Sequence, residues 1–123
     1  MYLKDFDFHD ALLKELRIER DAPGYKDEIN LFIGISKNKD IKLVFKDCFQ
    51  ANFDMNFGII ADETIYDIYK SVDSEDLELL KKKWLKIGGD VEDLNLYIIE
   101  TNSTNSVIKI FAKSYKIEKL SYS

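Results

Sequence analysis

From Ile41 to Phe57 apolar residues recur at every second position: Ile41, Leu43, Phe45, then Phe49, Ala51, Phe53, Met55 and Phe57. Lys42, Lys46, Gln50, Asn52, Asp54 and Asn56 fall between them. Only a β-strand returns side chains to one face every two residues, so this stretch predicts extended chain with one side against a core. At ~3.3 Å per residue an unbroken strand would run past ~50 Å, too long for a small domain. Asp47 is the one polar residue in the apolar register, which places a bulge, bend or turn near Lys46-Asp47-Cys48. The segment reads as two strands or one sharply bent one.

The neighbouring segments obey the same period. Ile29, Leu31, Ile33 and Ile35 alternate, and Ser36-Lys37-Asn38-Lys39-Asp40 is a polar connection of hairpin length. Ala22-Pro23-Gly24 marks a turn before them. Leu12 to Arg20 fits two patterns: Leu12, Leu16 and Ile18 share strand parity, while Leu12, Leu13 and Leu16 fit a helical turn capped by Asp10. A strand beginning near Leu12 is the favoured reading.

Ser74 to Gly89 carries every helix end signal. Ser74 can cap, Glu75, Asp76 and Glu78 place negative charge in the first turns, and Leu77, Leu80, Trp84 and Ile87 share a face. Lys81, Lys82, Lys83 and Lys86 follow, where the helix dipole favours cations, and Gly88-Gly89 supplies the stop. Ile65, Ile68, Tyr69 and Val72 also have helical spacing, so a second, short helix is expected within residues 59–72, with Asp62 as its cap. Leu94, Leu96 and Ile98, then Ile108, Ile110 and Ala112, alternate as strands around a turn-rich Thr101-to-Ser106 connection. A final strand is expected through Tyr115, Ile117 and Lys119, with frayed residues after it. The expected architecture is α+β: one antiparallel β-sheet of about five to seven strands, with one or two helices inserted before the C-terminal hairpin, in a single domain over residues 1–123.

Composition narrows function. The chain has one histidine, one cysteine and one proline, and a net charge of −5 from 23 carboxylates and 18 basic residues. Only Arg17 and Arg20 are arginines, a poor inventory for neutralising phosphates or reading bases, so nucleic acid is not the expected partner. A hydrophobic fraction of 46% and an aromatic fraction of 13% supply a core. A lone cysteine forms no internal disulfide, no segment has the length of a membrane span, and Met1-Tyr2-Leu3-Lys4-Asp5 is unlike a signal peptide, so a cytoplasmic protein is expected. Asn102-Ser103-Thr104 spells a glycosylation acceptor but reads as a turn.

The residues that could carry chemistry have plainer roles close at hand. His9 and Asp10 are adjacent, and neighbours on a strand face opposite sides; His9 is expected to bond a nearby carbonyl while Asp10 caps or turns the chain. Cys48 lies in an alternating strand and reads as a packed thiol. The sequence has no CxxC, no HExxH, no calcium loop and no Gly-rich phosphate loop, and it calls for no metal or cofactor. Tyr66, Tyr69, Trp84, Tyr97 and Tyr115 are candidate surface aromatics, with core or sheet-face packing as the alternative.

Three function classes stand: a protein-binding module, a homo-oligomeric assembly protein joined through a free sheet edge or face, and a small enzyme using carboxylates. A resemblance favours the first. Phe8-His9-Asp10-Ala11 ahead of a strand, Ile29 to Ile35, Lys42-Leu43-Val44-Phe45-Lys46-Asp47-Cys48 and the late Glu100-to-Ser106 hairpin together resemble small bacterial immunity proteins of polymorphic toxin systems. The resemblance implies no catalytic residue. It implies occlusion of a basic toxin domain by an acidic, aromatic surface but transfers no contact residues; from this chain's own acids and tyrosines, Asp40, Asp54, Asp62, Glu63, Tyr66 and Tyr97 are the expected partner-binding residues.

Overall fold

The structure is a computed structural model that describes residues 1–37 and 39–120. After a short 3-10 turn at Leu3–Asp5, the elements are β1 (Leu12–Ala22), β2 (Lys26–Ser36), β3 (Lys39–Asp54), β4 (Ile65–Ser71), α1 (Glu75–Leu85), β5 (Asn95–Thr101) and β6 (Val107–Leu120). The six strands form one antiparallel sheet in the order β1-β2-β3-β6-β5-β4. The expected α+β class holds, with one α-helix directly ahead of the β5–β6 hairpin. The expected fraying after Lys119 falls on residues 121–123, outside the described residues.

The sheet curls until its two edges meet. Leu12 at the start of β1 bridges Thr64 just before β4, and the amides of Leu13 and Ile65 donate to the carbonyls of Glu63 and Ala11 at 2.9 and 2.8 Å. Leu31, Ile33, Leu43, Phe45, Ile65, Ile99, Ile108 and Ile110 fill the inside of this curl, and Phe8 and Ala11 of the N-terminal segment join them. A second, smaller core lies on the outer side of β5 and β6, where Leu77 and Leu80 of α1 pack on Leu94, Leu96, Ile98 and Phe111. Strand β5 is therefore buried on both faces, which is why Leu96 through Ile99 are all apolar or aromatic.

Helix α1 begins where its signals predict. Ser74 Oγ accepts from the Leu77 amide at 3.1 Å, and Gly88 adopts φ 81° just past the helix end, a left-handed conformation that glycine tolerates best. Replacing Ser74 by alanine removes the cap; a loss of about 1 kcal/mol in chemical denaturation is expected, with the fold retained. Ile87, placed on the helix face from sequence, lies beyond α1 and is exposed.

Three further expectations are corrected. Residues 65–71 are strand β4, not a helix. Ile65 and Ile68 both face the interior because the pairing shifts between Ile65↔Thr101 and Asp67↔Glu100; the extra residue resets parity and imitates helical spacing. Residues 115–119 do not form a separate strand but continue β6. The bend expected near Lys46-Asp47-Cys48 is present within a single strand. Asp47 sits at φ 55°, and the β3–β6 register slips between Cys48↔Ala112 and Gln50↔Phe111. Phe49, expected on the same face as Phe45, instead packs on Trp84 with ring centroids 5.0 Å apart.

Candidate functional site

The bulge in β3 shapes the main surface feature. Pairing between β2 and β3 runs from Ser36↔Lys39 to Ile29↔Phe45 and stops there. Past Asp47 the bulged strand follows β6 alone, while the β1–β2 hairpin continues to its own turn at Ala22↔Lys26. The space between the hairpin and the diverging half of β3 is a groove of about 770 Å³. Ile18, Tyr25 and Ile29 line its hairpin wall, Cys48, Ala51 and Phe53 its β3 wall, and Trp84 stands with them. Tyr25 is 91% exposed, Ile18 52% and Phe53 38%, large apolar side chains left open to water in one groove lining.

The rim is acidic. Glu19, Asp27, Glu28, Asp47 and Asp90 line the groove against Arg20 and Lys113 as its bases. Glu19 and Glu28 lie directly opposite each other across β1 and β2, an arrangement that like-charge repulsion disfavours; Lys26 Nζ, 3.8 Å from Glu19, relieves part of it. Lys113 lies 3.7 Å from Asp90 and 3.6 Å from Asp93. Asp27 accepts from the Gly24 amide at 2.9 Å through Oδ2. Its other oxygen, Oδ1, is buried without a hydrogen bond, although Arg20 Nε stands 3.5 Å away. At that distance the pair is a charge contact rather than a hydrogen bond.

Cys48 registers this field. Burial pushes its thiol up to about 12 from an ordinary 9.0; the Ile29 backbone opposes the shift by hydrogen bonding, and the negative charges of Asp27, Asp47 and Glu28 reinforce it. Such a thiol is protonated at neutral pH and is no nucleophile. Because its folded-state value lies above the unfolded one, its contribution to stability is complete below about pH 9 and is lost as pH rises toward 12. Between pH 8 and ~10.5 the denaturation midpoint of the wild type is therefore expected to fall more steeply than that of Cys48→Ala. Tyr69, raised to about 12 by its hydrogen bond to Glu100, is common to both proteins and cancels from that comparison.

The six residues expected to bind a partner are not brought together as a set; only Tyr66 and Tyr97 share a lining, that of a second cleft. Tyr97 is buried at 2% exposure, its ring 5.1 Å from Phe45 and 5.5 Å from Tyr115, so it is a core residue. Asp40 is also buried, and its Oδ2 accepts from Lys14 Nζ at 2.7 Å. This bridge ties β1 to β3 across Gly34 of β2, where an added Cβ would lie 2.9 Å from Lys14 Cε. Glu63 has an internal task, accepting from the Thr104 hydroxyl and, at 3.3 Å, from the Thr104 amide. Asp54 and Asp62 are exposed, but neither lines the groove. Tyr66 is exposed beside His9 with ring centroids 5.8 Å apart. It lines a separate cleft of about 500 Å³ between the N-terminal segment and β4.

The N-terminal motif makes local structural contacts. Asp10 turns the chain at φ 64°, and His9 Nδ1 lies 3.3 Å from the Tyr66 carbonyl oxygen. The two side chains do meet, with His9 Nε2 3.5 Å from Asp10 Oδ2, because the left-handed residue swings its carboxylate back toward the ring. Both groups are exposed. Asn102 Nδ2 donates to Asp10 Oδ1 and to the Ile65 carbonyl, each at 3.2 Å, so the Asn102-Ser103-Thr104 turn fastens the closed end of the sheet. Among the described residues no helix is long and apolar enough to cross a membrane, and no group of three His, Cys, Asp or Glu side chains converges on a point.

Apart from Trp84, already a candidate surface aromatic, the groove residues escaped the sequence reading because they come from a hairpin and a strand that meet only in space. The one local signal was Asp47, which marked the bulge but not what the bulge opens. No family model matches the chain, and no curated protein is similar to it.

Proposed function

We propose that this protein is a non-catalytic binding module whose acidic, aromatic groove receives a basic segment of a protein partner, in the manner of an immunity protein occluding a toxin. The observation that carries this reading is the pairing of exposed Tyr25, Ile18 and Phe53 with the opposed Glu19 and Glu28 carboxylates in one groove. Aromatic and aliphatic side chains supply desolvated contact area and slow release, and the acidic rim accelerates encounter with a cation. Holding two glutamates face to face costs stability that a merely solvated hairpin has no reason to bear; a positively charged partner relieves it. The acidic net charge of −5 acts in the same direction at longer range.

The test is affinity capture from the cells that make the protein, with elution in a salt gradient. Glu28→Lys combined with Asp47→Asn reverses the charge at one rim position and removes it at the other, leaving the rim neutral while keeping a residue suited to the left-handed backbone at position 47. A basic protein should be retained by the wild type, released by about 0.3 M salt, and held at least about tenfold more weakly by the double variant. Addition of one equivalent should inhibit the captured protein's own activity. Capture indifferent to both salt and charge reversal refutes the reading.

A further inference from the structure

The groove has a property beyond its charge: one of its walls is a bare sheet edge. Within the described residues, ladder pairing on the β2 side of β3 ends at Phe45, and no strand or bridge takes it up again between Asp47 and Asp54. On the other side Cys48 pairs with Ala112, and Gln50 through Asp54 pair with Phe111 through Val107 on β6, Phe49 being the bulged residue. Half of β3 is thus a strand paired on one side only, and Asp47, Gln50, Ala51 and Phe53 from it line the groove. Free edges of this kind are templates for an added strand, and proteins ordinarily blunt them. The β1 edge is blunted, carrying Lys14, Glu15, Arg17, Glu19, Arg20 and Asp21. The open half of β3 instead carries Phe49, Gln50, Ala51 and Phe53 among its groove-lining residues.

We propose that the partner's segment binds by strand addition: an extended stretch of alternating basic and apolar residues enters the groove and hydrogen-bonds to the open edge of β3 from Asp47 to Asp54. This rests on the reading of the groove as a protein-binding site and specifies its mode. Main-chain bonds to the edge supply affinity, and side chains on alternate faces supply specificity. One face of the incoming strand meets Ile18, Ala51 and Phe53; the other presents its bases to Glu19, Glu28 and Asp47. The carboxylate of Asp27, one oxygen of which lacks a hydrogen bond and has only a 3.5 Å charge contact with Arg20, leaves an acceptor there for a donor on the incoming strand. Charge complementarity selects a basic segment of another protein over a second copy of this chain, whose net charge is −5.

Trp84 is the chain's single tryptophan and stands in the groove lining, so its fluorescence reports occupancy. The probe is a library of extended octapeptides with Lys or Arg alternating with Val, Ile, Leu or Tyr. The best binder is then remade with N-methyl groups on alternate backbone amides, in each of the two registers. Strand addition predicts that one N-methyl register binds at least about tenfold more weakly while the other is little changed, as loss of two edge hydrogen bonds requires. It also predicts slowed amide exchange at alternate positions between Asp47 and Asp54. Equal binding by both registers overturns strand addition and leaves the acidic groove standing. No binder in the library overturns strand addition as well, and the salt and charge-reversal behaviour of the captured partner then decides the groove reading separately. A concentration-dependent dimer that protects the same amides assigns the edge to a second copy and overturns the proposal.

Discussion

Phe45→Ala is expected to destabilise the protein by about 3–5 kcal/mol, a large share of the 5–15 kcal/mol typical of a whole domain. Phe45 is fully buried at the centre of the curled sheet, paired with Ile29 on β2 and Tyr115 on β6, with its ring against Tyr97. The truncation leaves a cavity bounded by strands that cannot collapse inward without breaking their ladders, so the cavity cost adds to the lost transfer energy. Phe45 is also the last residue at which β2 and β3 pair, and its loss should loosen the origin of the groove. Urea denaturation measures the first effect. The second appears as faster amide exchange at Ile29 and Phe45 than at Leu31 and Leu43; uniform exchange across those four amides would show that Phe45 does not set the fork.

That fork follows from a small number of residues. A strand paired on both sides along its whole length would make a flat, closed interior. Asp47, able to adopt φ 55°, and the inserted Phe49 bend β3 toward β6 and α1 and away from the hairpin. Phe49 is retained on that side by Trp84 at 5.0 Å and by Lys113 Nζ, 5.8 Å from its ring. The bulge thus creates the groove, exposes the edge and brings Trp84 to its lining in one distortion. A bulge used to end pairing and re-aim side chains beside a site is common in sheets.

The same kind of distortion explains what was legible in the sequence and what was not. Ile29 to Ile35 and Ile41 to Phe45 alternate cleanly because β2 and β3 pair there without interruption, and those strands read directly. The ambiguous stretches in β1 and β4 each contain a register shift. Leu13 and Leu16 both reach the core because the β1–β2 pairing slips between Leu13 and Glu15, which made the segment look half helical. Ile65 and Ile68 were misread for the same reason, and Ala112 and Tyr115 on β6, three apart yet both on the inner core, made one strand look like two. Tyr97 and Asp40 failed as surface residues for a different cause. Alternation sets Tyr97 opposite Leu96 and Ile98 but does not show that α1 covers the Leu96 face while Tyr97 points into the inner core, nor that a lysine on β1 reaches across β2 to a carboxylate on β3.

The second core gives the other large expected effect. Phe111→Ala should also remove about 3–5 kcal/mol, but its structural consequence differs from that of Phe45→Ala. Phe111 lies on the outer face of β6 at 2% exposure, opposite Gln50 at the register slip of β3 and beside Leu96 of β5. Leu77, Leu80, Val91, Leu94 and Ile98 close around it. An 11-residue helix has little stability of its own in water, so α1 depends on this small patch. In Phe111→Ala the helical circular-dichroism signal should be lost at lower urea than the near-ultraviolet signal of the inner-core tyrosines, whereas Phe45→Ala should lose both together. The groove provides an independent readout, because Trp84 reaches it from α1: if a peptide binds there as proposed, Phe111→Ala should blunt the Trp84 fluorescence response while leaving the edge of β3 able to bind. A single coincident transition in Phe111→Ala would mean that the two cores unfold as one unit and that the helix is held by the curl of the sheet as a whole.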